Sequence, residues 1–115
     1  MTEELKTEIV STMQVLHEWI GKFVSIEDYI CTNGRTYNRH QTRYGKYNMK
    51  IKDFYIRTSG SIATIFNESQ QIEFRSSSIK NIIADKTKIE IEINIKGSIW
   101  RKLIIKQEVP ADNNR

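Results

Sequence analysis

Cysteine and proline occur once each in these 115 residues, histidine twice and glycine five times. A single cysteine, Cys31, has no partner for an internal disulfide, so nothing in the sequence points to an oxidising compartment. A lone cysteine in a strand is more often a small buried hydrophobe than a nucleophile. His17 and His40 lie far apart and, with one cysteine, offer no metal-site spacing. The few glycines make no phosphate-cradling loop. No nucleophile motif is present, and Ser76, Ser77 and Ser78 read as a turn. There is no long apolar run and no signal-peptide pattern. A cytoplasmic protein is therefore expected, with no membrane contact, no metal, no cofactor and no catalysis.

Leucine is scarce too, three residues against nineteen isoleucines. That bias favours strands, because β-branched side chains suit a pleated surface. It is clearest over residues 88–107, where Ile89, Ile91, Ile93 and Ile95 alternate with Lys88, Glu90, Glu92, Asn94 and Lys96. Period two marks a strand with one dry and one wet face. Gly97 and Ser98 interrupt the run before it resumes at Ile99, so a β-hairpin is expected. A two-residue turn would pair Ile95 with Trp100. A three-residue loop pairs Ile95 with Ile99, Ile91 with Leu103 and Ile89 with Ile105, and sets Glu92 opposite Lys102. The second register is preferred because a slip of one residue moves a whole apolar set to the wrong face. It puts Arg101 on the dry side or its rim, and Trp100 and Ile104 on the outer face.

Residues 2–20 read as an amphipathic helix. Thr2 can cap it, Glu3 and Glu4 suit its first turn, and Gly21 stops it. Leu5, Ile9, Met13, Leu16 and Ile20 form the apolar stripe, with Trp19 on its flank. A helix of this length docks rather than standing alone in water. Strands are expected at 23–31, 49–56, 62–66 and 71–75, with a short turn or strand around Ile79, Ile82 and Ile83. Asn33-Gly34 signals a hairpin turn, and an apolar parity switch predicts a bulge near Lys52 and Asp53. The fold class is α+β, mostly β: one domain over 1–115, with the helix at 2–20, a β core at 22–107 and a tail at 108–115. The core is a small antiparallel barrel or sandwich of six or seven strands. Residues 61–83 resemble the middle of an SH3-like or Sm-like barrel.

Charge is unevenly distributed. The chain carries 18 Lys and Arg against 14 Asp and Glu, a net +4. Residues 35–57 alone hold seven bases against Asp53, or +6, whereas the first 34 residues hold six acids and two bases. Tyr37, Tyr44, Tyr47, Phe54 and Tyr55 are interleaved with those bases. Arginine grips phosphate through paired N–H bonds and a ring stacks on a nucleobase, so the pattern fits an anionic ligand that carries a base. A basic surface can also serve only solubility and edge protection. The candidate ligand-binding residues are Arg39, Arg43, Tyr44, Tyr47 and Arg57. Surplus apolar surface at Trp19, Trp100 and Ile104 points to a homo-oligomer.

A leading helix, an isoleucine-rich β core and a basic aromatic window resemble the phage anti-Thoeris proteins that sequester cyclic ADP-ribose signals. The likeness is one of architecture, covers most of the chain and transfers no binding residue. It implies a nucleotide-binding anti-defence sponge that assembles as an oligomer and holds a small anionic nucleotide without transforming it. Two alternatives stand beside it: a single-stranded nucleic-acid binder on an Sm-like or OB-like barrel, and an inhibitor acting by protein contact, such as an anti-CRISPR.

Overall fold

The computed structural model of the chain describes residues 2–31, 41–56, 62–97 and 99–108. Helix α1 (Glu3–Trp19) precedes eight strands: β1 (Phe23–Cys31), β2 (Gln41–Lys50), β3 (Asp53–Tyr55), β4 (Ile62–Phe66), β5 (Gln71–Arg75), β6 (Ile79–Ala84), β7 (Lys88–Lys96) and β8 (Ile99–Gln107). A single 3-10 turn, Ser76–Ser78, links β5 to β6. The strands pair antiparallel in two sheets, ordered β2-β1-β8-β7-β6 and β3-β4-β5. The expected α+β, mostly β class is the class observed. The strand beyond the expected six or seven is β2. Its core-side positions are Gly45, Tyr47 and Met49, so aliphatic alternation is nearly absent from its sequence. The predicted turn at Asn33-Gly34 lies outside the described residues.

The parity switch near Lys52 is a change of sheet, not a bulge. β2 ends at Lys50 in the large sheet and β3 begins at Asp53 in the small one. Between them, Ile51 is buried and bonded at both polar ends: its N–H donates to the Lys22 carbonyl and its carbonyl accepts from Gly21 N–H. Lys52 N–H then donates to the Phe66 carbonyl, which starts the second sheet. Gly21 makes this junction at φ 86°, a backbone conformation that costs glycine little.

One face of the large sheet, with Val24, Ile26, Met49, Ile82, Ile89, Ile91, Ile93, Leu103 and Ile105, meets Ala63, Ile65, Ile72 and Phe74 of the small sheet in one core. α1 lies along β6 and adds Ile9, Leu16 and Trp19. Its buried line is Ile9, Thr12, Leu16 and Trp19, rotated from the expected stripe: Ile20 is 36% exposed and Trp19 only 2%. Turning the helix this way buries the larger side chain. Thr12 is tolerated because its hydroxyl donates to the Glu8 carbonyl at 2.8 Å. Trp19 therefore belongs to the monomer's core and supplies no surplus surface for a second copy. Thr2 caps the helix as expected, accepting from Leu5 N–H at 3.1 Å.

The hairpin combines both registers considered. Ile89 faces Ile105, Ile91 faces Leu103 and Glu92 faces Lys102, as preferred. The closing pair, however, is Lys96 with Ile99, and a bulge takes up the extra residue, Ile95, which is half exposed and faces no isoleucine. Lys102 stands opposite Glu92 as expected and its charge favours the Glu92 carboxylate, but its direct ion pair is with Glu90. Lys102 Nζ lies 3.5 Å from Glu90, which Lys88 also reaches at 2.8 Å. Glu92 is left without a hydrogen bond or ion pair among the described residues, and partial burial pushes its carboxyl pKa upward.

Candidate anion-binding cleft

The core side of the hairpin holds one charged pair. Asp28 falls at the position between Ile26 and Ile30 that strand alternation turns inward, and it is 1% exposed. Arg101 is its diagonal neighbour on β8, since Leu103 pairs with Asp28 and Ile30 with Arg101. The guanidinium grips the carboxylate in a fork: Nε donates to Oδ1 at 3.0 Å and Nη2 to Oδ2 at 2.9 Å. Nη1 donates to the main-chain carbonyl of Glu73 on β5 at 2.9 Å. A single side chain thus joins two strands of the large sheet to the small sheet, with planar geometry that a lysine lacks.

Arg101 also lines a cleft of about 260 Å³ between β5, the 3-10 turn and the bulged end of β7. Phe74, Ile93 and Ile95 form its apolar part, and Arg75, Ser78 and Asn94 complete it. The bulge re-aims the end of β7, and the Asn94 amide donates to the Gly97 carbonyl at 3.0 Å, which secures the turn. Gly97 takes φ 54° there. Among the described residues, none of the lining side chains is acidic. Arg75 is exposed and makes no ion pair with any described residue. A cleft with two guanidiniums, an amide, a hydroxyl and an apolar wall suits an anionic head on a flat, apolar body.

The candidate residues of the basic window are described only in part. Arg39 and Arg57 lie outside the described residues. Arg43 and Tyr44 lie in β2, with Arg43 opposite Tyr29 and Tyr44 at the register shift beside Gly45. Tyr47 pairs with Ile26, is half-buried and packs against the core, with its ring folded over Gly45. It is therefore a core-side residue. Tyr55 is 56% exposed and stacks on Phe66 with centroids 5.6 Å apart, on the outer side of the small sheet. Trp100 and Ile104 are half-buried on the outer side of the large sheet, in rows with Asn94 and Glu90.

Asp28, Arg75 and the cleft itself had not been singled out in the sequence. For Asp28 a signal existed: an acid at an inward strand position, with an arginine at an inward position on another strand. Arg75 and Ser78 carry no such signal, because only the tertiary fold brings them to β7. Comparison with known proteins finds no matching family model, no similar curated protein and no similar solved structure.

Proposed function

We propose that this chain binds a small anionic nucleotide and sequesters it without transforming it, with a cyclic ADP-ribose isomer as the ligand type the architecture implies. The observation that carries this reading is the acid-free cleft with Arg75 at its edge and Arg101 held rigid inside it. Arg75 supplies a charge-assisted contact to a phosphate oxygen. Arg101, its charge offset by Asp28, adds a guanidinium plane in a fixed position, so little of its side-chain entropy is lost on binding. Phe74, Ile93 and Ile95 receive the less polar part. The volume sets a limit: drug-sized ligands occupy roughly 300–1,000 Å³. A cleft of about 260 Å³ therefore holds one phosphate-bearing portion of such a ligand and leaves the rest outside.

The test is mass spectrometry of small molecules released from protein purified from cells, followed by calorimetric titration of wild type and Arg75→Ala. One charge-assisted contact is worth about 1.5–3 kcal/mol, so the variant should bind about ten- to a hundredfold more weakly with unchanged melting. A ligand bound equally well by both proteins removes the cleft from the site. Affinity that collapses steeply with salt, and only for oligonucleotides, would transfer the assignment to a nucleic-acid binder.

A further inference from the structure

A second feature, independent of the cleft, lies between α1 and β3. The exposed side of α1 and the ring of Phe54 border an open groove of about 580 Å³, lined by Val10, Met13, Gln14, His17, Glu18 and Phe54. Val10 is 46% exposed on it. The helix that forms it is acidic, carrying Glu3, Glu4, Glu8 and Glu18 against Lys6, a net −3. Only Glu3 of these four is ion-paired, to Lys6, among the described residues. A few residues further along, Phe23 projects from the start of β1 with 54% of its surface exposed. Lys22 precedes it and Lys50 Nζ lies 6.0 Å over its ring, while Glu108 sits on its other side. An apolar groove with unpaired acid beside it and an exposed ring with Lys50 over it and Lys22 next to it are complementary in sign and in apolar character.

We propose that these two features bind each other between copies of this chain, with Phe23 of one protomer entering the Val10–Phe54 groove of its partner and Lys22 and Lys50 facing Glu18 and its helix. The occupant is a second copy because the complementary charge and the complementary ring are both on this molecule. Groove and ring are joined by the short α1–β1 connection, so a two-fold axis beside it engages both pairs at once and closes the assembly as a dimer.

Sedimentation velocity on the full chain, at low salt and at about 1 M salt where the screening length shrinks from about 10 Å to about 3 Å, tests this. The expected result is a reversible dimer that salt weakens. Phe23→Ser and Val10→Glu should each raise its dissociation constant by about tenfold or more. Both positions are exposed, and circular dichroism checks that the variants stay folded. Glu18→Lys alone and the pair Lys22→Glu with Lys50→Glu should each weaken association, and the three changes together should restore it. A strict monomer at the highest soluble concentration overturns the proposal. So does a dimer indifferent to Phe23 and Val10, one dissociated by Trp100→Ser or Ile104→Ser instead, or a charge exchange that restores nothing.

Discussion

Replacing Arg101 with methionine leaves the stem of the side chain and removes the guanidinium. At least three hydrogen bonds go with it, two to Asp28 and one to the Glu73 carbonyl. The partner left behind decides the cost. The Asp28 side chain is 2% exposed, so its carboxylate can neither reach water nor find another cation at that point. Removing one member of a buried ion pair costs about 3–5 kcal/mol, chiefly through the uncompensated charge that remains. Domains of this size are stable by about 5–15 kcal/mol, so Arg101→Met should consume about a fifth of the total or more. In urea, with a slope of about 1–3 kcal/mol per molar, the midpoint should fall by about 2 M. The reverse change is milder. Asp28→Asn leaves an arginine whose side chain is 19% exposed and can gain water, so about 1–3 kcal/mol is expected.

The double variant Asp28→Leu with Arg101→Met is the discriminating member of the set. Replacing both partners by apolar groups of similar volume is often neutral, so much of the single-variant loss should return and the coupling energy should reach about 2 kcal/mol or more. Unfolding followed by the fluorescence of the buried Trp19 reports on the core directly. If Arg101→Met costs less than about 1 kcal/mol, or if the double variant loses the sum of the two singles, the pair is not the buried junction described here.

Removing residues 1–20 uncovers the core beneath Ile9, Leu16 and Trp19, and the truncated chain should be insoluble or lack a cooperative melt; a soluble, thermally stable truncation would make the helix an appendage. Gly45→Ala places a methyl group against the Tyr47 ring, and because that ring packs on the core it should destabilise by about 1–3 kcal/mol, with Tyr47→Leu in the same chain recovering part of the loss in urea titrations. The Glu92 carboxyl is raised by burial, so its native form holds a proton more tightly than the unfolded chain and the charged form costs stability as pH rises through its folded value. Glu92→Gln should therefore stabilise at pH 7 by at most about 0.5 kcal/mol and have no effect near pH 4, read from urea midpoints at the two pH values. Asp85 behaves in the opposite sense. Hydrogen bonds from Thr87 N–H, the Thr87 hydroxyl and Lys88 N–H hold its carboxyl below the usual range. Its contribution is present above the ordinary carboxylate pKa and lost as pH falls through the lowered one, so Asp85→Ala should flatten the acid limb of the stability curve.

The difference between what the sequence disclosed and what it hid follows from where each constraint acts. Alternation over 88–107 specified the hairpin because burying one face punishes every slipped register at once, and the bulge at Ile95 only adjusts the end nearest the turn, where few side chains are buried. β2 was hidden because its inward positions use glycine and tyrosine where an aliphatic pattern would have marked a strand. The helix was visible as an element while its rotation was not, since Ile20 and Trp19 are adjacent and only the packed core chooses between them.

Charge along the chain is an incomplete guide to a binding site, and the reason is physical. A run of bases along the chain records composition, whereas a binding site depends on which charges remain unpaired and are held in a fixed geometry. Lys88 and Lys102 both lean on Glu90, and Lys52 reaches Glu68 at 3.3 Å, so half-exposed cations on the strands are partly spent on neighbouring acids. Arg75 is not in the basic window and Arg101 is bound to a buried aspartate, yet these two border an acid-free cleft. Asp28 offsets the Arg101 charge, so the net positive charge at the cleft is that of Arg75. What Asp28 does contribute is rigidity: it holds the Arg101 fork in place, so of the two guanidiniums only the exposed Arg75 would have to be ordered by a ligand.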